Sequence, residues 1–132
     1  MIDVPRAFYD QIVSQSVAEL PNEACGLIAG KDGKPVKLFR MNNADASPVV
    51  YRLDAHEQLR VFNEMDEQGW DLYAIYHSHT HTDAYPSETD QRQAFYPEAR
   101  YLILSLKDRN NPLLRGFRIV NHEVTEDEVR IE

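Results

Sequence analysis

The sequence predicts an α/β domain, a mixed sheet flanked by helices, and three observations lead there. Apolar residues recur at helical spacing in two segments, and short apolar runs bounded by Gly, Pro, Asp and Asn turn signals alternate with them. The 132 residues, 42% hydrophobic and 27% charged, have the size and balance of one folded domain, expected to span residues 1–132. No internal repeat, low-complexity tract or Gly/Ser linker divides them.

The elements follow in order. Over residues 5–20, Phe8, Ile12, Val13, Val17 and Leu20 lie near one helical face, Pro5 suits a first turn and Pro21 ends the run. Ala24 to Ala29 and Val36 to Met41 read as two strands around the turn Gly30-Lys31-Asp32-Gly33, and Val49 to Leu53 reads as a third. Asp54 offers its carboxylate to the free amides of a second helix, with Glu57 as reciprocal cap. Leu59, Phe62 and Met65 supply its apolar face, and Gly69 ends it after about Gln68. Leu72 to Tyr76 is apolar enough for a strand covered on both faces, and it runs straight into histidines. A small helix starts at Ser87. Tyr101 to Leu106 and Gly116 to Val120 are further strands, separated by the turn-rich segment 108–112.

Composition narrows the function. Twenty-two acidic against 14 basic residues give a net charge of −8, which disfavours nucleic acid and anionic membranes as partners. No run approaches the ~18 apolar residues of a membrane span, and the amino terminus is neither basic nor apolar, so a cytoplasmic location is expected. The one cysteine, Cys25, excludes an intrachain disulfide and a thiolate cluster. A metal would need His, Asp or Glu.

Those residues concentrate in Ala74-Ile75-Tyr76-His77-Ser78-His79-Thr80-His81-Thr82-Asp83-Ala84-Tyr85-Pro86-Ser87-Glu88-Thr89-Asp90. If the strand continues, His77 and His79 project from one face and meet one ion. A catalytic zinc takes three protein ligands and keeps a position open, and Asp90, in a helical first turn, is the candidate third. His81 is the rival ligand, disfavoured because the chain leaves strand geometry near Thr80. Each piece also has a structural reading: two strand histidines facing solvent, or a Ser87/Asp90 capping box that does no more than start a helix. Taken as one constellation they favour a metal.

His77-x-His79, seven residues, Ser87, two residues and Asp90, with a glutamate on an early strand, resembles the zinc peptidase motif of the JAMM (MPN+) family. The segment Asn22 to Gly30 resembles the family's glutamate-bearing strand. The resemblance implies the JAMM/MPN fold, cytidine-deaminase-like, with a mixed, mostly antiparallel sheet. It implies Zn²⁺ on His77, His79 and Asp90, Glu23 as general acid/base and Ser87 as donor to the oxyanion. Segments 46–59, 84–87 and 117–126 look like the bacterial Mec-type subgroup. That subgroup implies hydrolysis of the bond joining cysteine to the C-terminal glycine of a ubiquitin-like sulfur carrier protein with a Gly-Gly tail, laid beside a sheet edge.

Two rival functions stand beside this. One is a broader isopeptidase on ubiquitin-fold conjugates, although only the ten residues Gln91 to Arg100 separate Asp90 from the next strand. The other is a non-catalytic MPN scaffold, against which the retained ligand pattern argues. A zinc deaminase is disfavoured because its cysteine ligand pair is absent. Elsewhere, Cys25 and Trp70 are expected in the core, His56 on a helix surface, His122 in a turn, and Glu123 to Glu132 along a solvated edge.

Overall fold

The computed structural model describes residues 1–132. Eight strands and three helices run in the order β1 (Ile2–Val4), α1 (Arg6–Ala18), β2 (Cys25–Lys31), β3 (Lys34–Met41), α2 (Ala55–Gln68), β4 (Asp71–His79), α3 (Glu88–Arg92), β5 (Arg100–Ser105), β6 (Leu113–Val120), β7 (Glu123–Asp127) and β8 (Val129–Ile131). Six of the strands form one sheet in the order β3-β2-β4-β5-β6-β7, and only the β4–β5 pair is parallel. The expected mixed, mostly antiparallel sheet is therefore present. No helix is long and apolar enough to cross a membrane.

Strand alternation divides the core between the two faces of the sheet. Leu27, Ile75, Ile103 and Phe117 meet Val61 and Met65 of α2 on one side. On the other, Ile28, Ala74, Tyr76, Leu102 and Leu104 meet Ile12 of α1 with Ile2 and Val4 of β1. β4 lies inside the sheet with α2 packed on one face and α1 on the other, so its middle is buried on both faces, as its composition predicts.

The helices begin and end for the expected reasons, with differences in what they bury. Asp54 caps α2 by accepting from the amides of His56 and Glu57, and Gly69 closes it at φ 71°. Glu57 makes no reciprocal cap; its carboxylate instead accepts from the backbone and side-chain nitrogens of Asn42, tying the helix to the end of β3. The buried stripe of α2 is Val61 and Met65, flanked by Phe62, while Leu59 is 62% exposed. The helix is rolled so that the wider Val61–Met65 seam meets the sheet, which turns Leu59 outward. In α1 the corresponding surprise is polar: Val17 is half exposed, whereas Gln15 and Ser16 are buried. Gln15 earns its place by hydrogen bonds, its amide donating to the Cys25 carbonyl at 2.9 Å and its oxygen accepting from the Tyr76 hydroxyl at 2.6 Å.

Val49 to Leu53 does not form the expected strand. The segment makes a single bridge, between Asn43 and Leu53, and Val49 is 71% exposed. Its backbone groups bond to a side chain instead: Asn43 Nδ2 donates to the Val50 carbonyl at 2.9 Å and Asn43 Oδ1 accepts from the Arg52 amide at 3.1 Å. The short parallel pair β1–β8 and the edge strand β7 carry too few residues for a pattern to be read. β7 is mostly exposed, in keeping with a solvated edge, whereas Val129 and Ile131 of β8 depart from that expectation and pack partly buried against the core that holds Ile2 and Val4.

Close approach explains Gly26. A Cβ there would strike the Tyr76 ring and hydroxyl, which lie across the β2–β4 pair to reach Gln15. Gly26→Ala is expected to destabilise the fold by about 1–3 kcal/mol through overpacking, read as a lower urea midpoint with an unchanged slope.

Candidate metal centre

The end of β4 carries His77 and His79, and the two-residue period of the strand sets both on the α2 face beyond Ile75. Strand β2 fixes the register from one side, with Cys25 opposite His77, and β5 from the other, with Ile103 and Ser105 opposite His77 and His79. Between them Ser78 faces away. Its amide donates to the Ala24 carbonyl at 3.0 Å and its hydroxyl accepts from the Ala24 amide at 2.8 Å, pinning the start of β2 beside the histidines.

Asp90 arrives from α3. The helix opens with the reciprocal pair its sequence predicts: Ser87 Oγ accepts from the Asp90 amide at 3.0 Å, and Asp90 Oδ2 accepts from the Ser87 amide at 2.9 Å. The same Oδ2 lies 3.1 Å from His77 Nε2 and 3.0 Å from His79 Nε2, and the two ring nitrogens are 3.2 Å apart. All three side chains are buried. His81 is exposed, its Nδ1 2.7 Å from Thr80 Oγ1, and takes no part in the cluster. His56 and His122 are likewise on the surface.

This donor set fits a divalent cation better than it fits hydrogen bonding alone. His79 Nδ1 donates to the Asp83 carbonyl at 2.7 Å, so in the neutral ring Nε2 carries a lone pair that faces the anionic Asp90 oxygen and another imidazole nitrogen. A cation placed among two nitrogens and one oxygen removes that conflict, and the composition is that of an open zinc site. The charges respond accordingly. Burial opposes ionisation of Asp90, but His77, His79 and the Ser87 amide overcome it and hold its carboxyl well below the usual range. Burial lowers the His77 pKa, whereas in His79 the hydrogen bonds to Asp90 and Asp83 outweigh burial and raise it.

Glu23 stands at the entrance to β2, only 3% exposed. Its amide donates to the Ser47 carbonyl at 2.9 Å and its carbonyl accepts from Asn43 Nδ2 at 3.1 Å, so the backbone is held while carboxylate Oε1 is buried without a partner. Burial pushes its pKa up to about 8; His79 pulls it down and Asp90 pushes it further up, so the carboxyl feels two of the three cluster members. Ser87 is exposed beside Asp90. Cys25 is fully buried and its thiol is pushed up to about 12, mainly by burial, which suits a core side chain. Trp70 packs partly buried against the core on the α2 face.

Two contributors escape a sequence reading. The Tyr51 ring stacks on His77, centroids 4.2 Å apart and planes 19° from parallel. Asn43 holds the loop that carries Tyr51 and the Glu23 carbonyl together. The turn-forming run Asn42 to Asp45 marks a loop but gives no sign of what it binds.

A family model described as prokaryotic homologs of the JAB domain matches residues 5–120. The chain belongs to this family. Its architecture is that of the JAB1/MPN domain, so the expected JAMM fold is borne out, and the chain is a JAMM peptidase. It is 43% identical over 122 residues to the CysO-cysteine peptidase of Mycobacterium tuberculosis, covering 91% of this chain and 84% of that one. It is 35% identical over 113 residues to the desampylase of Haloferax volcanii, covering 83% and 75%. The solution structure of protein DSY2949 from Desulfitobacterium hafniense superposes with a TM-score of 0.89 at 35% identity, covering 100% of this JAMM chain and 93% of that one.

The partnerless carboxyl of Glu23 has a thermodynamic consequence. Its folded pKa lies above the ordinary value of 4.5, so between that value and about 8 the folded state holds a proton that the unfolded state releases. Stability falls as pH rises through this window, by at most about 1.4 kcal/mol per pH unit. In metal-free protein, Glu23→Gln is therefore expected to melt above wild type by a margin that grows from pH 5 to pH 8. A margin that stays constant with pH would contradict the assignment.

Proposed function

We propose that this JAMM peptidase hydrolyses the bond between cysteine and the C-terminal glycine of a ubiquitin-like sulfur carrier protein, with zinc held by His77, His79 and Asp90. The observation that carries the substrate assignment is the likeness to a CysO-cysteine peptidase along 91% of the chain. The convergence of two imidazole nitrogens and one carboxylate oxygen supports the metal. Zinc in a three-ligand site supplies Lewis acidity, polarising a carbonyl and acidifying water.

Glu23 is assigned the proton work. It accepts a proton from the attacking water and delivers it to the departing amine of cysteine, serving first as base and then as acid. Without a cation, burial keeps the Glu23 carboxyl protonated near neutrality. A divalent ion beside it would favour the carboxylate that the base role requires, while burial favours the protonated form that the acid role requires. Ser87 is assigned to the oxyanion. Its oxygen already accepts the Asp90 amide, which leaves its own proton free to donate, and its exposure leaves the hydroxyl within reach of substrate. No acyl-enzyme is needed.

The likeness to desampylase supports a second reading, cleavage of isopeptide bonds between a ubiquitin-like modifier and protein. The two separate in one experiment. Protein loaded with zinc is incubated with a carrier ending in Gly-Gly-Cys, and with an isopeptide conjugate, and masses are measured. Loss of one cysteinyl residue, abolished by chelator, is the expected result; an intact carrier beside a cleaved conjugate would assign the second activity.

The residue roles are tested separately. Glu23→Gln is expected to keep one zinc per chain and lose about 10²–10⁴-fold in turnover. Asp90→Ala is expected to lose the metal in elemental analysis. Ser87→Ala is expected to bind zinc and lose about 10²–10³-fold in kcat, with a helix-cap cost of ~1 kcal/mol read separately by thermal melting. Full turnover by Glu23→Gln would remove it from the reaction.

A further inference from the structure

The two histidines of the cluster are braced unequally. His79 has an outer anchor, because its Nδ1 donates to the Asp83 carbonyl at 2.7 Å and this fixes both ring orientation and tautomer. His77 has none: its Nδ1 is buried and lacks any hydrogen-bond partner. An imidazole so placed turns about a broad, roughly two-fold χ2 torsion, and a half-turn exchanges Nε2 for a carbon. Something else must hold Nε2 toward Asp90 and His79.

What faces the ring is Tyr51. The two planes lie 19° from parallel with centroids 4.2 Å apart, so the rings are stacked face to face in close contact. Rotating the imidazole through a right angle would drive its edge into the phenol face, so the half-turn is blocked for as long as Tyr51 stays in place. Tyr51 is itself buried against Ile75 and Tyr101. Its backbone lies outside any regular strand, yet both chain neighbours are grasped by one side chain, Asn43, which donates to the Val50 carbonyl at 2.9 Å and accepts from the Arg52 amide at 3.1 Å.

We propose that Tyr51 is a positioning residue of the metal centre, its ring face doing for His77 what the Asp83 carbonyl does for His79. The inference rests on the assignment of His77 as a metal ligand and extends it to a residue outside the ligand group. It requires the ring and not the hydroxyl.

Zinc affinity, measured by competition with a chromophoric chelator, tests this in wild type, Tyr51→Phe and Tyr51→Leu. Phe retains the stack and is expected to bind within about threefold of wild type; Leu fills much of the volume without an aromatic face and is expected to bind about 10–100-fold more weakly. The cobalt-loaded Leu variant should also show a displaced ligand-field absorption band. Wild-type affinity in Tyr51→Leu, or an equal loss in Tyr51→Phe, overturns the proposal while leaving the metal assignment standing. Failure of the wild type to bind zinc removes the assignment beneath it. Should Tyr51→Leu not fold, the metal-free wild type still decides: His77 ring protons held over the Tyr51 face must resonate upfield of those of His56 and His122, and unshifted signals overturn the stack.

Discussion

A single oxygen organises the candidate site. Asp90 Oδ2 accepts the Ser87 amide that closes a helix cap and, from the same position, faces the Nε2 atoms of both His77 and His79. The cap fixes the carboxylate with local backbone geometry before any ligand is considered, so a residue that starts a helix is also aimed by it. Were Asp90 one residue later, it would leave the N3 position and lose the reciprocal bond, and its carboxylate would swing away from the strand end. The structural and functional readings of Ser87-x-x-Asp90 are thus one arrangement.

Such a site is unfavourable by the ordinary rules of burial. Two of the four buried side-chain atoms without a partner belong to it, Glu23 Oε1 and His77 Nδ1. An unpartnered buried polar group costs about 1–3 kcal/mol, and natural folds concentrate such groups where they act. The surrounding frame offsets the cost: β4 is buried between β2 and β5, and the Gln15–Tyr76–Cys25 bonds brace the opposite face of the same strands. The other two unpartnered atoms, Ser16 Oγ and Glu19 Oε2, belong to α1 and its C-terminal cap, beside the satisfied bonds of Gln15.

The division between what was legible and what was not follows interaction range. His77, His79, Ser87 and Asp90 were readable because a strand period of two and a cap spacing of three are local rules, and both hold here. Gly69 and Asp54 bound α2 for the same reason. Val49–Leu53 misled because its β-branched and aromatic content describes a side-chain preference, whereas a strand also needs a free edge to pair with, and Asn43 had already taken its backbone groups. Periodicity alone sets Leu59 and Val17 inward, but it does not say how a helix is rolled against its sheet, and both are exposed. Glu23 shows no local pattern. Only its family resemblance singled it out, and its burial beside the cluster depends on the Ala24–Ser78 pairing across 54 positions.

Asn43 then gains significance beyond a turn residue. Its Nδ2 reaches the Glu23 carbonyl at 3.1 Å as well as the Val50 carbonyl, and its Oδ1 takes the Asp45 and Arg52 amides. One amide side chain therefore joins the strand end that presents Glu23 to the loop that presents Tyr51 to His77. The chain between them, residues 24–50, includes β2 and β3 and is long enough for the two ends to drift apart if nothing crossed the gap. An aspartate at this position would keep the acceptor, lose the bonds donated to the Glu23 and Val50 carbonyls, and set a negative charge against those carbonyl oxygens. The side chain that fits must donate and accept at once and carry no charge, and asparagine meets all three conditions in the shortest reach.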